Sequence, residues 1–141
     1  MKRLAFGARF CRLAALLALG LGCSEASGPP PPEVCPDDQV VTLQVSAGTH
    51  PTFSWTPDCG MASILVFPVA GPPAVWVVYG GAVSASNPFR SGTRYGQSPR
   101  GTFEATPPAA LQVGTDYIVS ISRWIGEPGQ LFEYGSATFR P

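Results

Sequence analysis

Short runs of apolar residues, separated by glycine- and proline-rich stretches, recur along the chain from about residue 40 onward. Apolar and polar positions alternate within several runs, as in Thr52–Thr56. Val, Ile and aromatic residues dominate these runs, and none shows the spacing of an amphipathic helix. The pattern predicts β-strands joined by turns. The seven predicted strands are Val40–Val45, Thr52–Thr56, Ala62–Pro68, Ala74–Tyr79, Thr102–Thr106, Thr115–Trp124 and Glu133–Phe139.

Seven short strands in about 100 residues predict an all-β domain, a seven-stranded antiparallel sandwich over residues 35–141. The segment Gly80–Arg100 lacks apolar alternation and is predicted to be a long loop or an irregular edge of the sheet. Because side chains alternate between the two faces of a strand, one set should face the core. The residues expected to face inward are Phe53, Trp55, Leu65, Phe67, Tyr117, Val119 and Ile121.

The first 22 residues have the organisation of an export signal. A cationic stretch without acids ends at Arg12, and the apolar run Leu13–Gly22 follows. That run is about half the roughly 20 apolar residues that a membrane-spanning helix needs. Residues 1–22 are therefore predicted to be a cleaved signal peptide.

The segment Leu19–Cys23 resembles a bacterial lipobox, although Gly20 stands where such motifs usually carry Leu. The resemblance implies a lipid on Cys23; ordinary cleavage between Gly20 and Ser27 is the alternative. Residues 23–34 include four consecutive prolines, which favour an extended polyproline II spacer. We expect a domain held off a membrane by a semi-rigid tether.

The resemblance also bears on localisation. Ser24 follows Cys23 where an Asp would mark inner-membrane retention in many Gram-negative bacteria. It therefore implies a lipid-anchored protein of the outer membrane in a bacterial cell envelope. A secreted or periplasmic soluble protein is the alternative.

Removal of the leader changes the charge of the chain. The sequence has nine basic and nine acidic residues, and four of the bases precede Leu13. The mature part keeps five arginines against nine acids, a formal net charge of −4, and contains no Lys. This balance argues against nucleic-acid binding.

Two motifs resemble the fibronectin type III family of sandwich domains. Leu111, Gly114 and Tyr117 have the spacing of the corner before that family's sixth strand, and Val113 replaces its common Pro. The segment Pro51–Pro57 is similar to the family's second strand with a core Trp. The resemblance implies that Tyr117 packs inward and that its hydroxyl bonds upstream backbone. A different sandwich of immunoglobulin type is the alternative.

Two of the four cysteines are expected to pair. Cys11 leaves with the leader and Cys23 is assigned to the lipid, so Cys35 and Cys59 remain. If the first two strands are antiparallel neighbours, both cysteines lie at one end of their hairpin, where a bridge is feasible. We expect a structural disulfide.

Candidate chemistry is sparse, so we expect no enzyme and no cofactor. His50 is the single His and is expected in a solvated turn, and no catalytic motif occurs. Asp37, Asp38 and Asp58 form a weak candidate calcium site, because calcium prefers carboxylate oxygens. Solvated turn acids explain the same residues.

Trp76 and Trp124 are the candidate ligand contacts, since exposed tryptophans commonly anchor interfaces. The sequence thus favours a lipid-anchored envelope protein with a non-enzymatic binding or structural module. Its partner would be an envelope protein or a glycan. The alternatives are a carbohydrate-binding module that uses exposed Trp, and a small secreted hydrolase or inhibitor built on residues 80–100.

Overall fold

A computed structural model describes residues 41–81, 87–125 and 130–141. These residues form eight β-strands and contain no helix. Seven of the strands lie within three residues of predicted ones at both ends. The strands are β1 (Thr42–Val45), β2 (Thr52–Thr56), β3 (Ser63–Pro68), β4 (Trp76–Gly80), β5 (Thr93–Arg94), β6 (Thr102–Thr106), β7 (Tyr117–Ile125) and β8 (Gln130–Phe139).

The strands form two antiparallel sheets. One has three strands in the order β1-β2-β5, and the other has five in the order β6-β4-β3-β7-β8. Buried side chains from both sheets make one hydrophobic cluster between them, so the architecture is β-sandwich-like. The expected all-β class is confirmed.

The eighth strand, β5, lies in the stretch that the sequence assigned to a loop or an irregular edge, and it is an edge strand of its sheet. Thr93 and Arg94 of β5 pair with Phe53 and Thr52 of β2. Nearby, Phe89 forms an isolated bridge with Met61. Two residues are too few to show an alternating pattern, so only pairing with a neighbouring strand identifies β5.

The prediction for the inner face of β2 is confirmed. Phe53 and Trp55 are buried, whereas Ser54 between them is partly exposed. Burying a large apolar side chain stabilises the fold by about 1.5–3 kcal/mol. The alternation in this strand is therefore sufficient to orient it.

The prediction for the inner face of β3 is wrong. Ile64 and Val66 are fully buried in the core, whereas Leu65 and Phe67 lie on the opposite side of the sheet. All of Ile64–Phe67 is apolar, so alternation within the strand does not distinguish its two faces. The neighbouring strands decide which side is buried.

Aromatic rings fill the space between the sheets. Trp76 of β4 packs against Phe53 with ring centroids 6.3 Å apart, and against Tyr95 at 5.3 Å. Phe139 of β8 contacts Phe53 at 6.0 Å and Tyr117 at 5.7 Å. These offset and edge-to-face contacts join the two sheets.

The corner before β7 has the expected geometry. Gly114 has φ +84°, a left-handed conformation that favours glycine, and Thr115 N–H donates to the carbonyl of Gln112. The ring of Tyr117 is buried, and its hydroxyl accepts a hydrogen bond from Gln112 N–H at 3.0 Å. The hydroxyl thus bonds upstream backbone, as the sequence predicted.

Candidate functional site

Several predicted sites lie outside the described residues. They are the signal peptide at residues 1–22, the lipidated Cys23, the tether at residues 23–34, and Cys35, Asp37 and Asp38. The predictions of lipidation, of a tether and of the Cys35 bridge therefore stay predictions. What the structure tests is the surroundings of Cys59, Asp58, Trp76 and Trp124.

Cys59 is held in a fixed position just after β2. The indole Nε1–H of Trp55 donates to the carbonyl of Cys59 at 2.8 Å, and Cys59 N–H donates to the carbonyl of Pro57. The residue is buried, with Sγ 3.5 Å from the oxygen of Pro57. Because Thr42 pairs with Thr56, the start of β1 lies beside the end of β2, as the predicted disulfide requires.

Asp58 has a local structural role. Its Oδ1 accepts a hydrogen bond from Ser91 N–H at 3.2 Å, and Ser91 Oγ accepts one from Trp55 N–H. These bonds link the end of β2 to the segment before β5. No group of three or more His, Cys, Asp or Glu side chains that could hold a metal occurs among the described residues. The proposed partners of Asp58 in a calcium site lie outside them.

Trp76 is not available as a ligand contact. Its side chain has 0% exposure and packs between the sheets against Phe53 and Tyr95. Its Nε1–H is directed at Glu104 Oε1, 3.4 Å away. The sequence suggested a surface Trp because Val75 and Val77 flank it, but Val77 is the residue that points away from the core.

Trp124 lies on the side of β7 opposite Tyr117, as predicted, and is partly exposed. It pairs across the strands with Leu131 of β8, and its backbone N–H donates to Asn87 Oδ1 at 3.3 Å. Its indole Nε1 is buried and has no hydrogen-bond partner among the described residues. Trp124 is thus the one predicted contact that the fold leaves near the surface.

Trp124 belongs to a larger apolar surface that the sequence did not identify. We call it the outer face: the side of the five-stranded sheet that points away from the core. Cross-strand register places its members, since paired residues share a face. Its apolar residues, none of them in the core cluster, are Leu65, Phe67, Val77, Tyr79, Phe103, Ile118, Trp124 and Leu131.

The polar residues of the outer face are small or hydroxyl-bearing, with one acid. Ser63, Ser120 and Ser122 lie at its centre, and Ser120 Oγ donates to Glu133 Oε2 at 2.9 Å. Ser63 is fully buried, and its Oγ has no hydrogen-bond partner in the described ranges. Glu133 is the one charged strand residue on this face within the part of the chain that the structure describes.

Exposure is greatest near two edges of the outer face. Phe103 on β6 is 63% exposed and pairs with Tyr79, and Leu131 on β8 is 38% exposed. Between them, Leu65, Phe67 and Ile118 are partly exposed. Val77, Ser120 and Ser122, which lie nearer its centre, are buried. A sheet face in water usually carries mainly polar side chains, so the apolar composition of this face is unusual.

One residue of the core, Tyr95, has a shifted pKa. Burial raises the pKa of Tyr95 to about 12, and the nearby Tyr117 adds to that shift. The Tyr95 hydroxyl lies 2.7 Å from the carbonyl of Ala109 and 3.2 Å from that of Val75, to which it donates. The group acts as a structural donor between the two sheets.

Two exposed residues at the rim of the domain, Asp116 and Arg140, also have shifted pKa values. The Arg140 guanidinium donates two hydrogen bonds to Asp116, at 2.7 and 2.6 Å, and thereby lowers the pKa of that carboxyl. The same pair raises the pKa of Arg140. This ion pair ties the last residues to the turn before β7.

Comparison of the chain with family models, with curated proteins and with solved structures finds no match. Within the described ranges there is also no helix of the length and apolarity needed to span a membrane.

Proposed function

We propose that this chain is an exported, lipid-anchored protein of the bacterial cell envelope. Its β-sandwich-like domain is a non-enzymatic binding module, and the outer face is its contact surface. The observation that carries the proposal is the set of large apolar side chains on the outer face.

The energetics of the sheet support this assignment. Removing apolar surface from water contributes about 25 cal/mol per Å². Phe103 is 63% exposed, and Leu65 and Tyr79 are partly exposed, so part of the apolar surface of this face stays in contact with water. Contiguous apolar patches on a soluble domain generally mark interaction sites. A partner that covers the outer face would recover this free energy.

The sequence supports the anchor. The leader, Cys23 and the proline-rich spacer follow one another in the order that a lipoprotein requires. A semi-rigid spacer of this kind would hold the domain off the membrane. The localisation and the contact surface are thus parts of one proposal.

We further propose that the domain is related in fold to fibronectin type III domains. Support comes from the corner, where Tyr117 accepts from Gln112 N–H, and from Trp55 in the core. The structure has eight strands where seven were expected, because β5 is additional. The five-stranded sheet includes β6, which pairs with β4. A solved structure with the same strand order would test this relation.

The anchor is tested by mass spectrometry of the N-terminal peptide of protein purified from membranes. We expect a diacylglycerol thioether on Cys23 and cleavage after Gly22. A Cys23→Ser variant should be released into the soluble fraction. An N-terminus at another residue, without lipid, would contradict the anchor and leave the binding module untouched.

The contact surface is tested with a soluble domain that starts at Ser24. The double variant Tyr79→Ser/Phe103→Ser changes the outer face, and Val69→Ser/Val113→Ser changes two exposed apolar residues away from its strands. Both are assayed by co-sedimentation with envelope fractions. We expect the first variant to bind at least about tenfold more weakly, as for loss of interface anchors. Equal binding by both variants would contradict the role of the outer face.

Carbohydrate binding is a second candidate, favoured by one observation. Trp124 is partly exposed on the outer face, and an aromatic ring at the surface can stack on a sugar. A glycan array with the wild-type domain and Trp124→Ala tests it. Binding of a defined glycan that Trp124→Ala abolishes would establish this function, and unchanged binding would exclude Trp124 from it.

A further inference from the structure

We propose that the end of the proline-rich tether folds back onto the domain, so that Pro31 and Pro32 pack against Trp124. The indole Nε1–H of Trp124 then donates a hydrogen bond to a backbone carbonyl of residues 31–34. The inference goes beyond the proposed binding function, because it names a contact within the chain that any partner at Trp124 would have to displace.

The indole of Trp124 needs a hydrogen-bond acceptor that the described residues do not supply. Its Nε1 is buried and has no hydrogen-bond partner in the described part of the chain. The other two indoles do face acceptors: Trp55 donates to the carbonyl of Cys59, and Nε1–H of Trp76 is directed at Glu104. Buried donors in folded proteins are nearly always paired. The acceptor for Trp124 is therefore expected from residues outside the described ranges.

The predicted disulfide, on which the inference rests, would bring the tether to the right end of the domain. Cys59 comes three residues before Ala62, whose backbone N–H donates to the carbonyl of Ser122 at 2.7 Å. Trp124 lies two residues further along β7, at the same end of the five-stranded sheet. If Cys35 is bonded to Cys59, the tether leaves the domain near this end of β7.

The segment between the disulfide and the prolines is long enough to reach Trp124. Pro31 precedes Cys35 by four residues. Polyproline II advances about 3.1 Å per residue, so Pro31 lies up to about 12 Å from Cys35. Neighbouring strands are about 4.8 Å apart, so this length spans roughly two to three strands. The residues before Pro31 remain as the spacer to Cys23.

The chemistry of the two surfaces also matches. A polyproline II segment has no internal hydrogen bonds, so its carbonyls are free to accept. Aromatic surfaces bind such segments well, because the preformed helix loses little conformational entropy. Trp124 supplies both the ring and the donor, and Leu131, which pairs with it across the strands, extends the apolar surface. One contact would therefore satisfy the indole and cover its ring.

The direct test is NMR spectroscopy of the mature chain with Cys23→Ser, which removes the lipid. We expect nuclear Overhauser contacts between the ring protons of Trp124 and the side chains of Pro31 and Pro32. We also expect the indole proton of Trp124 to exchange slowly with solvent. The chain has three tryptophans, and Trp124→Phe identifies the signal of this one.

Two double variants within the proline run test the contact. Pro31→Gly/Pro32→Gly should accelerate exchange of the Trp124 indole proton by at least about fivefold, as for loss of one hydrogen bond. Pro29→Gly/Pro30→Gly is the matched control and should exchange like wild type. The other two indole protons should stay unchanged in both variants, which verifies that each is folded.

Absence of the Overhauser contacts, or equal exchange in the two double variants, would overturn the proposal. Residues 82–86 or 126–129 would then be left as the source of the acceptor. The proposed binding function would stand in that case, because its own test changes Tyr79 and Phe103 and leaves Trp124 and the tether intact.

Discussion

The two sheets differ in the face that they turn away from the core. In the three-stranded sheet every outward residue is polar: Thr42, Gln44, Thr52, Ser54, Thr56 and Arg94. In the five-stranded sheet eight outward residues are apolar, and the polar ones are mostly hydroxyls around Ser120. One sheet is built to meet the core on one side and water on the other. The other sheet has two apolar sides and only one core.

The difference between the two sheets separates apolar residues that the core explains from apolar residues that it does not. Residues that face the core are explained by folding alone, as Trp76 is. Leu65 and Tyr79 are not, because they occupy strands whose other side already fills the core. The apolar surface that folding does not explain is the outer face. Substitutions on the core side and on the outer side of the five-stranded sheet should therefore differ in their effect on stability.

The largest expected effect separates the two tryptophans. Trp76→Ala would leave a large cavity between the sheets and should lower the free energy of unfolding by about 3–5 kcal/mol. Trp124→Ala removes a partly exposed side chain, so its loss should stay below about 2 kcal/mol. Urea denaturation of the soluble domain measures both. Equal losses of unfolding free energy would mean that the outer face is a second core, and would contradict the difference between the two sides of the sheet.

A smaller effect concerns Tyr95, which joins the two sheets. Tyr95→Phe removes a hydroxyl that donates to Ala109 and Val75, and should lower the free energy of unfolding by about 1 kcal/mol near neutral pH. Trp124→Phe is a matched control that alters an aromatic side chain on the outer face. A loss no greater than that of the control would contradict the linking role of the hydroxyl.

Tyr95 also predicts a pH dependence. Its pKa is raised from 10.0 to about 12 in the folded domain, so the folded state keeps a proton that the unfolded chain has lost. The stabilisation is complete below pH 10 and is lost as the pH rises toward 12. Urea midpoints across this range should fall more steeply for wild type than for Tyr95→Phe. Identical slopes would contradict the shift.

The smallest effect is expected at the rim. Asp116→Asn breaks the exposed pair with Arg140, and exposed pairs contribute little and are screened by salt. Because the pKa of Asp116 is lowered, its contribution exists above the ordinary carboxyl pKa and disappears as the pH falls through the lowered value. Thermal melts of Asp116→Asn and Arg140→Gln should converge with wild type in acid and in high salt. A persistent difference would assign Asp116 another role.

Much of the fold could be predicted because the local pattern was unambiguous. Phe53 and Trp55 alternate with Thr and Ser, and Val119 and Ile121 alternate with Ser120 and Ser122. The corner at Leu111, Gly114 and Tyr117 was implied by the resemblance of that spacing to fibronectin type III domains. In these segments, side-chain chemistry at neighbouring positions differs enough to orient the strand.

The candidate site could not be predicted in the same way. Of the residues proposed from the sequence, Trp124 lies on the outer face, Trp76 lies in the core, and Asp58 bonds the backbone of Ser91. Phe103 and Tyr79 were missed because each is one aromatic residue in a short strand. Only the register that pairs them puts both on one surface.

The sequence by itself determined the positions of seven strands and the orientation of β2 and β7, and its resemblance to a known family implied the corner at Tyr117. The tertiary structure alone decided which side of β3 and β4 meets the core, and that Thr93–Arg94 forms a strand. The physical reason is that Ser63–Pro68 and Trp76–Gly80 carry apolar residues on both faces, so burying either face gains similar free energy locally. Packing against Phe53 and Trp55 of the other sheet breaks that symmetry and leaves the outer face outside the core cluster.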